Sequence, residues 1–127
     1  MKLVVECVPS FKAVSPSAWN ALVPKSNPFL RHEFLHGLET TNCVGTPNTG
    51  WVPRHLIIKN NENDSLLAAL PLYEKYDSYG EYIFDWGWAR AAQAANISYY
   101  PKLVSAIPFT PATCPKLLIH PQATDQA

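Results

Sequence analysis

The sequence predicts a mixed α/β (α+β) domain, in which helices flank a mixed sheet. The chain has 127 residues, the length of one domain. Hydrophobic residues make up 47%, as in globular proteins, and the low fraction of charged residues, 16%, argues against a disordered chain. Apolar runs of strand length alternate with short segments of helical periodicity. We therefore expect one domain over residues 1–127, with a frayed tail at 120–127, and twelve prolines should keep its elements short.

The first half predicts one strand followed by two helices. Residues 2–8 are rich in valine and predict a strand that ends at Pro9. Ser15-Pro16 is typical of a helix start, because serine caps the first turn and proline fits the first helical position. Pro24 ends that helix, and Asn27-Pro28 predicts a second one through about Glu39. The polar residues 40–50 predict a loop.

The second half predicts a hairpin, a short strand, a helix and a further strand. Residues 51–59 and 66–73 are apolar runs separated by a polar turn, which is typical of an antiparallel hairpin. Pro71 has no backbone N–H to donate to a neighbouring strand, so it marks a sheet edge, a bulge or a point where the strands part. Residues 82–85 predict a short strand, 88–95 a helix and 102–107 a strand, and 117–119 form the last apolar run.

Charge and composition exclude several classes of function. Ten basic residues balance ten acidic ones, so the basic excess of a DNA-binding protein is absent. No apolar run reaches the length of a membrane span, and the three cysteines lack metal or redox spacing, so we expect a cytoplasmic protein with reduced thiols. The sequence lacks a P-loop, a dinucleotide fingerprint, a serine-hydrolase elbow and the turn that cradles the coenzyme A pyrophosphate. We expect no tightly bound cofactor.

One five-residue motif matches a zinc-peptidase pattern. His32-Glu33-Phe34-Leu35-His36 fits H-E-x-x-H, in which two imidazoles on one helix face hold zinc and the glutamate acts as general base. A third ligand is needed, and neither His55 nor His120 has the spacing to supply it. A surface helix with two incidental histidines is the favoured interpretation, so we expect no metal.

Residues 76–88 combine aromatic rings with carboxylates and predict a binding site. Aromatic walls exclude water, and a few polar groups orient a ligand. If 82–85 is a strand, Glu81 and Asp85 share a face, and apolar surroundings can tune one of them as a general base. Ser78, Trp86 and Trp88 are candidate substrate-binding residues. The alternative is a core strand with two solvated carboxylates.

A second group of candidates follows in residues 99–111. Tyrosine hydroxyls and a lysine near a strand start can bind a carbonyl or anionic group. The candidate substrate-binding residues there are Tyr99, Tyr100, Lys102, Phe109 and Thr110. Packing of the tyrosines between rigid prolines explains the pattern equally well.

Six blocks of the sequence carry a resemblance to a known family. They are NPFLRHEFL from Asn27, GWVPRHL from Gly50, LPLYEK from Leu70, SYGEYIFDWGWA from Ser78, YYPKLV from Tyr99 and IPFTP from Ile107. Together they resemble the FemAB-like proteins, which are predicted N-acyltransferases of peptidoglycan biosynthesis in the GNAT superfamily. The resemblance spans residues 27–118, and Cys114 departs from it where glycine is expected.

The resemblance implies the first half of an acyl-CoA N-acyltransferase (GNAT-like) fold, because family members are longer and have two such halves. It implies transfer of an acyl or aminoacyl group to an amine, with acyl-CoA or aminoacyl-tRNA as possible donor and a small molecule or cell-wall precursor as acceptor. Glu81 or Asp85 would be the base, and Tyr99, Tyr100 or Lys102 would orient the substrate or stabilise charge.

Two further interpretations remain open. The chain could be a non-catalytic binding or scaffold half-domain that has lost its donor site, which the short length and the missing pyrophosphate turn favour. An open sheet edge is also expected where a second half would begin, and such an edge favours self-association.

Overall fold

The computed structural model describes residues 2–45 and 48–123. Within these ranges the chain forms three α-helices, seven strands and two single 3₁₀ turns. The helices are α1 (Pro16–Asn20), α2 (His32–Thr40) and α3 (Trp86–Ala94). The strands are β1 (Leu3–Val8), β2 (Trp51–Pro53), β3 (His55–Asn60), β4 (Ser65–Leu70), β5 (Tyr73–Lys75), β6 (Lys102–Val104) and β7 (Leu118–Ile119).

A four-stranded antiparallel sheet with the order β1-β3-β4-β7 supports the larger hydrophobic core. Helix α1 packs on β4 and on α2, so both helices cover the same face of the sheet. The indole Nε1 of Trp19 donates to the Leu30 carbonyl at 2.8 Å, which satisfies its one polar group inside the core. The buried side chains include Val8, Phe11, Trp19, Leu30, Leu35, Ile57, Ala69 and Leu118.

The predicted helix starts are confirmed for α1 and shifted for α2. Ser15 accepts the Ala18 amide in the first turn of α1, and Pro16 occupies the first helical position. Pro28 begins only a 3₁₀ turn, because Arg31 is extended (φ −64°, ψ 146°) and α2 starts after it. The second predicted helix is therefore two elements with a break between them.

The predicted hairpin is confirmed, but its strands part halfway and join two different sheets. Near the turn β3 pairs with β4, and further on β2 pairs with β5. Pro71 lies at the junction, where it cannot donate, and the Leu72 amide instead donates to Nδ1 of His55 at 3.0 Å. On the other strand the Arg54 amide donates to the Leu72 carbonyl at 2.9 Å. The interpretation of Pro71 as a parting point is thus confirmed.

The second sheet has the order β2-β5-β6 and brings two lysines together. Its register pairs Lys75 of β5 directly with Lys102 of β6. Directly opposed residues of antiparallel strands project on the same face, so the two ammonium groups lie side by side. This register is the structural basis of the site described below.

One sequence prediction about secondary structure is wrong, and two others are confirmed with different bounds. Residues 82–85 form a loop that no strand pairs with, the strand predicted at 102–107 ends at Val104, and α3 begins at Trp86, two residues before the prediction. Part of the predicted tail is ordered, because the His120 amide donates to the Leu67 carbonyl and the Ala123 amide to the His120 carbonyl, both at 2.8 Å. The rest of that tail, 124–127, and positions 46–47 of the predicted loop lie outside the described residues.

The architecture confirms a mixed α/β fold with few helices, but the single mixed sheet that the sequence predicted is wrong, because every strand pair in the two observed sheets is antiparallel. Within the described ranges no helix combines the length and the apolar character that crossing a membrane requires. The backbone at Cys114 is not left-handed, so cysteine is tolerated at this position.

Candidate functional site

The site is built around the two lysines of the second sheet and a carboxylate between them. Like charges that face each other across a sheet repel, and Glu81 offsets this repulsion. Its Oε1 lies 3.0 Å from Nζ of Lys102, and its Oε2 lies 3.7 Å from Nζ of Lys75. Gly80, with φ at +79°, makes the turn that brings Glu81 over the sheet.

Lys102 gathers the polar groups of three segments. Its ammonium donates to Ser78 Oγ at 3.0 Å, to Glu81 Oε1 at 3.0 Å and to Asp85 Oδ2. An ammonium has three protons, so these acceptors satisfy it completely. Asp85 immediately precedes α3, and its side chain turns to Lys102 and leaves the helix uncapped. Tyr99 also donates to Asp85 Oδ2.

Charge and hydrogen bonding fix the protonation states in this cluster. Burial disfavours the ionised form of Asp85, but hydrogen bonds from Lys102 and two hydroxyl groups outweigh it and lower the pKa of Asp85. Burial likewise opposes the charge of Lys102, yet hydrogen bonds to both carboxylates raise its pKa. The hydrogen bond to Asp85 raises the pKa of Tyr99. At neutral pH the cluster therefore holds an ammonium, an ionised Asp85 and a neutral phenol.

A buried hydroxyl pair completes the cluster. Ser78 Oγ and the Tyr100 hydroxyl form a hydrogen bond in which either oxygen can donate. Ser78 also accepts from Lys102, so only one of the two hydroxyl protons is used within the pair. The second proton is directed to Asp85, where the Ser78 hydroxyl contributes to lowering the pKa of the carboxyl group.

Two carboxylate oxygens in the cluster lack a hydrogen bond from any described residue. They are Oε2 of Glu81 and Oδ1 of Asp85, and both are inaccessible to solvent. A buried oxygen without a donor costs free energy, and the ammonium groups of Lys75 and Lys102 beside these carboxylates offset part of that cost.

The model of a protein family described as FemAB-like, peptidoglycan biosynthesis/recognition, matches residues 10–127. The chain belongs to the FemAB-like family. No curated protein matches it. No solved structure matches it either. The match extends on both sides of the predicted span, residues 27–118, and it includes every residue of the cluster.

Two clefts flank the cluster in this FemAB-like protein. The first lies between α3 and residues 97–100 and encloses about 490 Å³. The second lies between residues 80–83 and 104–116 and encloses about 390 Å³. Tyr99 and Tyr100 line the first cleft, and Glu81 lines the second. The cluster therefore borders both clefts through these three side chains.

The structure brings six of the predicted site residues into one cluster: Ser78, Glu81, Asp85, Tyr99, Tyr100 and Lys102. Trp86 lines the first cleft and Thr110 the second, and Phe109 packs at Gly80, donating its amide to the Gly80 carbonyl at 3.1 Å. Trp88 is 75% exposed and lines neither cleft.

The predicted reason for placing Glu81 and Asp85 on one side is wrong. Strand alternation would put Ile83 beside them, but Ile83 is 91% exposed, whereas the two carboxylates are 10% and 19% exposed. The segment is a loop without a neighbouring strand, so nothing imposes a period of two. Attraction to Lys102 turns both carboxylates inward.

The residues of the predicted zinc motif do not face one common site, because His32 points into the core and Glu33 points into the solvent. The ring of His32 is buried, and its Nε2 is hydrogen-bonded to the Phe11 carbonyl at 2.8 Å. Glu33 is exposed and pairs with Arg31 at 3.3 Å. Within residues 2–45 and 48–123, no group of three or more histidine, cysteine, aspartate or glutamate side chains is placed to hold a metal ion.

Sequence reasoning missed Lys75, which is fully buried. Its ammonium lies 4.0 Å from the centre of the Trp51 ring, pairs with Asp77 at 3.3 Å and donates to the Tyr79 carbonyl. Alternation in the short strand offered a signal, because Tyr73 and Lys75 share a face and the tyrosine side is buried. A lysine on a buried face implies nearby carboxylates.

Proposed function

We propose that this FemAB-like chain contributes the reacting groups of an N-acyltransferase, which transfers an acyl or aminoacyl group from an activated donor to an amine. The observation that carries the proposal is the convergence of Glu81, Asp85, Ser78 and Lys102 between two clefts. Membership of a peptidoglycan-related family supports a cell-wall precursor as the acceptor. An acyl-CoA or an aminoacyl-tRNA is the proposed donor.

The reaction requires a proton acceptor and a stabilised oxyanion. The amine nitrogen forms a bond to the acyl carbon, the bond from that carbon to the thiolate or alkoxide leaving group breaks, and the amine loses one proton. A carboxylate takes this proton and passes it to the leaving group. The carbonyl oxygen gains negative charge on the way and needs a donor or a positive field.

Glu81 is the proposed base, and Asp85 the residue that orients Lys102. A lowered pKa makes Asp85 a weaker proton acceptor, whereas Glu81 lines the second cleft and its Oε2 accepts no hydrogen bond. Lys102 supplies the positive field that stabilises the oxyanion.

A transfer assay with matched variants tests the proposal. The chain is incubated with acetyl-CoA or with an aminoacyl-tRNA and a synthetic peptidoglycan peptide that has one free amine, and the amide product is measured by mass spectrometry. Glu81→Gln and Lys102→Met are each expected to lower kcat about 100-fold or more, in the range of single acid–base and electrostatic contributions. Arg31→Gln, which changes an exposed residue just before α2, is the control and should retain the wild-type rate.

Two results would contradict the proposal. One is the absence of amide product with either donor, together with no rise in melting temperature at donor concentrations well above typical KM values. The other is transfer that Glu81→Gln leaves unchanged. An amine-blocked peptide should give no product in any case.

A binding role without chemistry is the second candidate, and the aromatic surface around the cluster favours it. Exposed aromatic side chains in this region include Tyr79, Tyr82, Phe84, Trp86 and Trp88. Large exposed apolar patches mark interaction sites. Binding of the peptidoglycan peptide without any amide product would support this role.

A further inference from the structure

The cleft beside α3 contains an arginine that no described residue pairs with. Seven residues line it: Trp86, Ala89, Arg90, Gln93, Ile97, Tyr99 and Tyr100. Positions 86, 90 and 93 follow the i, i+4, i+7 spacing, so their side chains share the face of α3 that turns to residues 97–100. The cleft thus has a cationic group between aromatic walls.

Arg90 differs from the other two arginines of the chain. Arg31 pairs with Glu33 at 3.3 Å, and Arg54 pairs with Glu74 at 3.4 Å. Among the described residues, none forms an ion pair or a hydrogen bond with Arg90. A guanidinium has five donors in a fork that matches carboxylate and phosphate oxygens.

The cleft offers Arg90 no internal counter-ion. Its lining contains neither aspartate nor glutamate. Asp85 lies beyond the Tyr99 wall, but its Oδ2 already accepts from Lys102 and from Tyr99. The guanidinium is exposed to solvent, so an anion that enters the cleft can reach its donors, and charge-assisted hydrogen bonds of this kind are stronger than neutral ones.

We propose that this cleft binds a carboxylate or phosphate group of a substrate, with Arg90 as counter-ion and Trp86 and Tyr99 as walls. The inference rests on the proposed function, since Tyr99 and Tyr100 belong to both the cleft and the cluster. A ligand held at its anionic end by Arg90 would extend past these rings to Ser78 and Lys102. Substrates of the site are therefore expected to be anionic.

Small aromatic probes test the site without any transfer reaction. Benzoate and phenyl phosphate carry the two anionic groups on a ring that fits the cleft, and benzamide is the neutral control. Binding is followed by chemical-shift changes in ¹H–¹⁵N NMR spectra, which also map the site. We expect benzoate, phenyl phosphate or both to shift the amides of 86–100, with an affinity at least tenfold above that of benzamide.

Two matched arginine variants complete the test. Arg90→Gln should weaken binding of the anionic probes at least tenfold, whereas Arg31→Gln should leave it unchanged. Arg90 is exposed on a helix surface, so the variant should fold, and its amide spectrum verifies this. Binding to benzoate alone assigns a carboxylate, and binding to phenyl phosphate alone assigns a phosphate group. Equal binding of benzamide, or wild-type affinity in Arg90→Gln, would overturn the inference.

The test separates this inference from the transfer proposal. Lys102→Met is expected to abolish transfer while probe binding persists, because Lys102 does not line the cleft. Probe binding that depends on Arg90 in a chain without transfer activity would reject the proposed function alone. Transfer with an unchanged KM in Arg90→Gln, without probe binding, would reject the anion site alone.

Discussion

Replacing the buried Lys75 with methionine should destabilise the fold and identify the ion cluster as part of its framework. Methionine has a similar length and no charge, so the change removes the ammonium and retains most of the packing. Glu81 would then keep only Lys102 as a close cation, and the Tyr79 carbonyl would lose its donor.

The magnitude follows from opposing contributions around Lys75. Its hydrogen bonds to Tyr79 and Asp77 contribute about 1.5–3 kcal/mol each. Its position 4.0 Å from the Trp51 ring centre adds about 1–2 kcal/mol. Methionine avoids the desolvation of a buried ammonium, a penalty of several kcal/mol, so we expect the free energy of unfolding to fall by about 2–3 kcal/mol.

Urea denaturation followed by tryptophan fluorescence and circular dichroism measures this loss. Lys59→Met is the control, because Lys59 is partly exposed and its pairs with Glu6 and Asp64 span 3.8 and 3.4 Å. That variant should lose less than about 1 kcal/mol. Combining Lys75→Met with Glu81→Gln should cost less than the sum of the single changes, since the two groups interact. Equal losses in Lys75→Met and Lys59→Met would refute the reasoning.

Three further predictions concern a turn, a carboxylate and a sheet edge. Gly80→Ala should lower the free energy of unfolding by about 1–3 kcal/mol, because a Cβ would lie 2.5 Å from the Phe109 ring. The control is Gly37→Ala, in open space within α2, which should raise the free energy of unfolding by about 0.5–1 kcal/mol. Equal effects of the two changes in calorimetry would contradict this prediction. Because its contacts lower the pKa of Asp85, its ionised form stabilises the fold above about pH 5 and this stability is lost as the pH falls through the lowered pKa. Asp85→Asn should therefore reduce stability more in denaturation at pH 7 than at pH 2, and a loss that is independent of pH would argue against the assignment. Val5 is exposed on the edge strand β1, so light scattering should detect self-association that Val5→Lys reduces, and a monomeric wild type at high concentration would count against it.

Local signals in the sequence predicted much of the fold. Serine and proline at 15 and 16 identified the start of α1, the polar turn between two apolar runs identified the hairpin, and Pro71 identified the point where its strands part. Each signal acts within a few residues, because caps and turns are satisfied by neighbouring backbone groups. The shift of α2 reflects tertiary contacts, since the Asn20 side chain accepts the His32 amide at 2.8 Å.

The sequence predicted which residues form the candidate site, but not the strand register that brings them together. Glu81, Asp85 and Lys102 were identified from residue type and from the family resemblance, and the structure brings them together. The register that opposes Lys75 and Lys102 is a contact between distant segments, which no local pattern encodes. The strand predicted at 82–85 failed for the same reason, because a strand needs a partner and none is placed there.

The imidazole at the junction of the hairpin has a consequence for how rigidly the molecule holds its shape. His55 replaces one rung of the ladder, and burial lowers the pKa of its ring to about 3. Its Nδ1 stays unprotonated throughout the physiological range, so the angle between the core sheet and the strands that carry the lysines does not respond to ordinary changes in acidity. The His55 side chain thereby accepts a hydrogen bond that a backbone carbonyl would accept in a regular sheet. An asparagine or glutamine at position 55 would have to place an acceptor atom at the same distance from the Leu72 amide.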